Sequence, residues 1–309
     1  MNNSIKIFLV YLLACLIWGS TWLVIRIGLE SLTPMFSAGT RFGFASILVF
    51  GLMKIKKLSL QTDKLSLQLY FIMAFFSFII PFTLVYWAEQ FVPSGLAAVL
   101  FAVFPFFVAF FSYVMISKDS IDRYKILGMI VGFAGVLIIF SESLSLDFSN
   151  YFLGMAAIVF SGIIQAVVTV KLKKNGSHLN PLTMNFVPMG IAGIVLIPLS
   201  LLFEDTTKLR FDEAAVFSVL YLAIFGSVIA FTSYYWLLKR LNAVILSLLT
   251  FITPSIALFF GWLFYIELLS TIDIAGCALV LTGLLTANLL NKKKIRNSEI
   301  KKPVEISSE

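Results

Sequence analysis

The chain has 309 residues, 60% of them apolar and 13% charged, and a mean hydropathy of +0.99, which excludes a set of ordinary soluble domains. A net charge of +7 would suggest nucleic acid in a soluble protein, but in a membrane protein it reports topology, so no nucleic-acid partner is expected. Cys15 and Cys277 both sit in apolar runs, which indicates neither a disulfide framework nor a metal site.

The first apolar run, after Lys6, superficially resembles a signal peptide with a lipoprotein-like box at Leu12-Leu13-Ala14-Cys15. Leu13 fits such a box poorly and nine more apolar segments follow, so the run reads as a retained helix. A helix needs roughly 20 apolar residues to cross the hydrocarbon core, where only helices and closed barrels satisfy their backbone groups. On that criterion ten spans are expected. The first five are Ile7–Val24, Met35–Met53, Leu67–Ala88, Gly95–Ile116 and Tyr124–Phe140. The second five are Phe152–Val170, Leu182–Phe203, Ala214–Leu238, Val244–Tyr265 and Ile272–Leu290. The expected fold is therefore an all-α integral membrane protein with ten transmembrane helices and short connections. A basic, polar tail follows at residues 292–309.

With a cytoplasmic N-terminus, 19 Lys and Arg residues fall on the cytoplasmic side and three (Arg26, Lys208, Arg210) on the other, with Arg41 inside the membrane. This asymmetry places both termini in the cytoplasm. Residues 86 to 135 also have a second copy. Tyr86-Trp87, Pro105, Gly128 and Gly135 reappear as Tyr235-Trp236, Pro254, Gly276 and Gly283, and Pro34 reappears as Pro181. The chain thus divides into residues 1–145 and 146–291, each with five crossings. An odd number of crossings makes the second copy enter from the opposite side, giving two inverted five-helix repeats of the kind found in secondary transporters.

Trp18-Gly19-Ser20-Thr21, Pro34, Arg41-Phe42, the run Gly95-Leu96-Ala97-Ala98-Val99-Leu100 before Pro105, and Gly128 to Gly135 resemble the EamA family of drug/metabolite transporters. The resemblance covers Lys6 to Leu290. Glu267 stands where that family usually carries the acid of a Leu-Gly-Glu turn, with Ile266 in place of the usual Gly. The corresponding turn of the first half is replaced by Ser117-Lys118-Asp119. The resemblance implies a ten-helix transporter in the bacterial cytoplasmic membrane that moves small metabolites, such as amino acids, or drugs, often outward.

Several residues are candidates for the substrate pathway. Pro105 and Pro254 each free a carbonyl one turn back, at Phe101 and Thr250, and read either as paired helix kinks near the midplane or as prolines ordinary to membrane helices. Arg41 is an intramembrane charge, functional by default. Its alternatives are an ion pair with Glu89 or snorkelling. Tyr86-Trp87 and Tyr235-Trp236 read as interfacial belts or as pathway aromatics, with Gln90 one turn beyond Tyr86. Trp18, Gln165 and Asn185 could line an aqueous cavity or bond between helices. Gly128, Gly135, Gly276 and Gly283 read as close-packing positions.

No phosphate-binding loop is present, and the single histidine, His178, lies in a connection, so no cofactor, metal or enzymatic constellation is expected. No acid lies at mid-membrane, which leaves facilitated diffusion or coupling through Glu89 or Glu267. The expected function is a secondary transporter, an exporter of amino acids or related compounds working by alternating access. Its partners are a small-molecule substrate and the lipid bilayer, with protons and a homodimer left open. A multidrug exporter for hydrophobic cations is the alternative, and a membrane enzyme or partner protein is a more distant one.

Overall fold

A computed structural model describes residues 3–116, 123–144, 150–247, 249–267, 269–283 and 286. Ten helices run through them. They are α1 (Asn3–Gly28), α2 (Pro34–Ile55), α3 (Lys64–Ala88), α4 (Ser94–Ile116), α5 (Arg123–Leu144), α6 (Asn150–Asn175), α7 (Thr183–Phe203), α8 (Glu213–Leu238), α9 (Ala243–Tyr265) and α10 (Thr271–Gly283). Each falls on one expected span. The Ser117-Lys118-Asp119 turn and the basic tail lie outside the described residues. Large apolar side chains such as Ile47, Leu137, Ile194 and Leu202 point outward, as hydrocarbon permits and water would penalise.

The connections start their helices by local chemistry where they can. Asp63 accepts the Ser66 amide at the start of α3, and Asp212 accepts that of Ala215 at the start of α8. Two other helices borrow a cap from the opposite half. Thr33 makes no side-chain cap for α2, and Glu204, just past α7, accepts the amides of Met35 at 2.8 Å and Phe36 at 3.3 Å. Pro93 offers no cap to α4, and Glu267, just past α9, accepts the amides of Ser94 at 3.0 Å and Gly95 at 3.2 Å. In each case a carboxylate meets the positive end of a helix dipole and satisfies orphan donors.

These caps also report direction, because they join the end of one helix to the start of its neighbour. Along α2 and α7, Gly39 meets Ile197, Gly43 meets Gly193, and Ser46 donates to the Phe186 carbonyl at 2.9 Å. Numbers rise on one helix as they fall on the other, so the pair is antiparallel. Gly135 against Gly276, and Gly283 against Gly128 and Gly132, show the same for α5 and α10. Both pairs join equivalent helices of the two copies, so the repeats are inverted. The four glycines read as packing positions serve as such.

The first helix of each half packs on the other half. Helix α1 lies against α8 and α9, and α6 lies against α3 and α4. The two halves are therefore interleaved.

Where backbones touch, side chains cannot be added cheaply. A Cβ on Gly193 would lie 2.8 Å from the Gly43 Cα, whereas one on Gly51 meets nothing within 4 Å. Gly193→Leu is expected to lower the thermal midpoint in detergent by several degrees, with overpacking of this kind costing about 1–3 kcal/mol. Gly51→Leu is the control and should leave the midpoint within experimental error. Asp212 gives a pH-dependent test. Its hydrogen bonds from Ser31 Oγ and the Ala215 amide hold its carboxyl below the ordinary value of 3.8. A depressed folded-state pKa contributes stability that is present above the ordinary value and lost as pH falls through the depressed one. Asp212→Asn should therefore lower the midpoint at neutral pH, and the difference from wild type should shrink as the pH drops below 3.8.

Candidate functional site

Helices α3 and α8 each contain a π-helical stretch, at Ala74–Ile79 and Leu222–Ile229, whose starts are 148 residues apart, between the offsets of 147 for Pro34 and Pro181 and 149 for Tyr86 and Tyr235. Widened turns of this kind recur at functional sites because they release backbone carbonyls from the helical ladder. In α3 the next turn carries Pro81, which lacks an N–H to return to Ser77. In α8 the Ala230 amide turns to Phe225 and Ser227 and leaves the Gly226 carbonyl. That carbonyl accepts Trp18 Nε1 at 3.2 Å and Arg41 Nη2 at 3.3 Å.

Arg41 is thereby anchored in the membrane interior, with 1% of its surface exposed. Its Nε donates to Ser227 Oγ at 2.9 Å and its Nη1 to the Tyr86 hydroxyl at 3.1 Å. The guanidinium carbon stands 5.1 Å from the Phe42 ring centre and 4.9 Å from that of Phe82. Neutral acceptors and aromatic faces share the charge. The ion pair with Glu89 that was one expected alternative is not formed. Among the described residues, Lys208 with Asp205 is the one ion pair within 4.0 Å, and it lies in an exposed loop.

Beside Arg41 a cavity opens where the two halves meet, with α1, α3, α4, α6, α8 and α9 all contributing to its wall. It offers about 90 Å³ to the centres of water-sized molecules, and one water needs only about 10–15 Å³ on this measure. Trp18, Trp22, Phe82, Phe101, Phe231 and Tyr235 make the wall largely aromatic. Thr21, Thr169, Thr250 and Gln165 add polar points. Among the described residues of the wall, Arg41 alone is charged. Gln165 makes no hydrogen bond to another described residue, so its amide is available to a solute.

Of the residues expected on the pathway, Trp18, Arg41, Gln165 and Tyr235 therefore line one cavity, and Tyr86 reaches it through Arg41. The other four are not brought there. Trp87 packs at the edge of Phe91, and the exposed Gln90 donates back to the Trp87 carbonyl. Trp236 lies under Arg240, 3.8 Å from guanidinium to ring centre, as in an interfacial belt. Asn185 donates to Thr232 at 2.8 Å, the interhelical bond that was one of its two expected roles.

The prolines differ from one another. Around Pro105, helix α4 breaks at Ala102-Val103, whereas residues Leu249–Tyr265 form one helix with Pro254 inside it. The Thr250 carbonyl that Pro254 leaves accepts Thr253 Oγ1 at 3.3 Å. Glu89 and Glu267 differ as well. Glu267 is committed to the start of α4, while the Glu89 carboxylate is fully buried and neither of its oxygens is hydrogen-bonded to a described residue. Arg26 donates to the main-chain carbonyl of Glu89, not to its carboxylate.

Sequence reasoning missed Ser227, the Gly226 carbonyl, Thr21, Thr169 and Tyr234. Pro81 inside α3 was an available signal for the first widened turn. Nothing comparable marks the second.

A multi-pass helical protein whose inverted halves enclose a polar-edged aromatic cavity is a membrane transporter in design. The comparison with protein families agrees, since the EamA-like transporter family model matches residues 5–141 and 152–289, and the chain belongs to that family. Similar proteins include PagO of Salmonella typhimurium, 29% identical over 82% of this chain and 84% of its own length. The uncharacterized transporter YoaV of Bacillus subtilis is 27% identical over 91% of this chain and 96% of its own length. The uncharacterized inner membrane transporter YedA of Escherichia coli is 29% identical over 80% and 78%. A solved crystal structure superposes with a TM-score of 0.71 at 18% identity, covering 93% of this chain and 99% of that one. It shares the fold.

The two symmetry-related tyrosines separate anchoring from lining. Tyr86→Phe takes an acceptor from a buried guanidinium and should cost about 1–3 kcal/mol in thermal unfolding. Tyr235→Phe removes a hydroxyl that no described residue bonds and should leave the thermal midpoint unchanged.

Proposed function

We propose that this protein is a secondary transporter that exports small organic metabolites, amino acids or related compounds, across the bacterial cytoplasmic membrane. In this reading the two inverted halves alternate in exposing one central site, with both termini in the cytoplasm. The observation that carries it is the aromatic cavity at the junction of the halves, edged by Gln165, threonine hydroxyls and Arg41. Outward direction follows the resemblance to a family that often exports, and the relative YedA, described as an inner membrane transporter, supports the location. The alternative, a multidrug exporter for hydrophobic cations, is disfavoured by the sign of the one charge on the described cavity wall.

Coupling to protons is assigned here to Glu89. A fully buried carboxylate without a hydrogen-bond partner among the described residues is costly when charged and is relieved by taking up a proton. Glu267, held by three hydrogen bonds to Ser94 and Gly95, lacks that freedom.

Cells overproducing the protein should tolerate toxic amino acids or related metabolites better than vector controls and release more of the same compound into the medium. Glu89→Gln should keep normal abundance in the membrane while transport in vesicles stops responding to an imposed pH gradient. Identical media and tolerance would sink the exporter reading. A Glu89→Gln protein still driven by the gradient would remove Glu89 from the coupling step.

A further inference from the structure

Arg41 and the cavity together say more about the solute than its size. A guanidinium has five N–H donors, and the three hydrogen bonds to Ser227, Tyr86 and Gly226 use three of them. All three acceptors are neutral. Charged partners make hydrogen bonds roughly twice as strong as neutral ones, and a carboxylate can engage a guanidinium through two parallel bonds. A carboxylate arriving in the cavity would therefore find a better partner for Arg41 than those it now has. An ammonium would find no acid among the described residues of the wall and would be repelled. Glu89 is the nearby acid to weigh against this, but it makes no ion pair with Arg41 and is not part of the wall. The remainder of the wall, with Trp18, Trp22, Phe82 and Phe101, suits a flat apolar body.

We infer that the central cavity selects small organic anions, an aromatic or apolar body bearing one carboxylate, and that Arg41 is the residue that holds the carboxylate. The inference rests on the transport reading above and narrows its substrate class toward acids without a free amine. Gln165 has room in the same cavity to meet a second polar group of such a solute.

The test uses the full-length protein in detergent and four probes of similar size: phenylacetate, phenylethylamine, phenylalanine and 2-phenylethanol. Trp18 and Trp22 lie on the cavity wall, so intrinsic fluorescence reads occupancy directly. Phenylacetate should bind saturably and at least about tenfold more tightly than phenylethylamine or 2-phenylethanol, the step expected for one charge-assisted contact, and more tightly than phenylalanine, whose ammonium the wall disfavours. Arg41→Gln should lose that preference, and Arg41→Lys, which keeps the charge without the fork, should retain part of it. Should Arg41→Gln fail to fold, the ranking of the four probes on wild-type protein decides the matter alone. Equal or tighter binding of phenylethylamine, no binding of phenylacetate, or an unchanged preference in a folded Arg41→Gln protein overturns the inference. Flux in proteoliposomes, measured over protein-free vesicles, separates the two claims. Phenylacetate bound by the cavity but never moved would overturn the transport reading and leave the anion site standing. Phenylethylamine moved while phenylacetate is neither bound nor moved would do the reverse.

Discussion

Five crossings per half is an odd number, and that parity governs how the two copies can meet. An odd repeat must insert its second copy upside down, so equivalent helices that touch must run antiparallel. Close approach of two such helices in lipid depends on small residues, since hydrocarbon offers no hydrophobic drive to press them together. Gly43 against Gly193 and Gly135 against Gly276 supply that approach on two of the seams between equivalent helices. The caps follow from the same parity. Because the end of α7 lies beside the start of α2, Glu204 can satisfy amides that Thr33 leaves open, and Glu267 does likewise for α4. Neither cap could exist with parallel copies.

The interleaving of α1 and α6 has a consequence for the cavity. Helix α1 carries Trp18 and Thr21 to the widened turn of α8, so a residue of the first half reads a backbone irregularity of the second. Arg41 reads it too, from α2. The released carbonyl of Gly226 is thus a point at which three helices, α1, α2 and α8, are joined.

Much of this was legible in the chain. Long apolar runs and the paired Pro and Gly gave the helices, the duplication and the packing faces, because each has a fixed period or spacing. Partners were harder, since periodicity says which face of a helix is buried and not against what. Neighbours within a motif were also misgrouped. Tyr86 and Trp87 look like one unit, but successive residues on a helix do not face the same way, so Tyr86 meets Arg41 while Trp87 packs on Phe91. The same turn of geometry puts Tyr235 on the cavity wall and Trp236 under Arg240. The widened turn of α8 left no mark in the composition, as it arises from where backbone amides point.

The duplication also clarifies what is not duplicated. The offset that pairs Pro34 with Pro181 pairs Arg41 with Pro188, so the intramembrane charge belongs to one half alone. The tyrosines remain in both copies with different work, Tyr86 bound to Arg41 and Tyr235 lining the cavity without a described hydrogen-bond partner. In the proposed alternation, symmetry of shape would let one cavity open to either side, because each half could adopt the conformation of the other. Symmetry of charge would set two guanidiniums against each other in low dielectric, where their repulsion has little screening. A single arginine in a symmetric frame avoids that repulsion and leaves the described cavity wall with one charge.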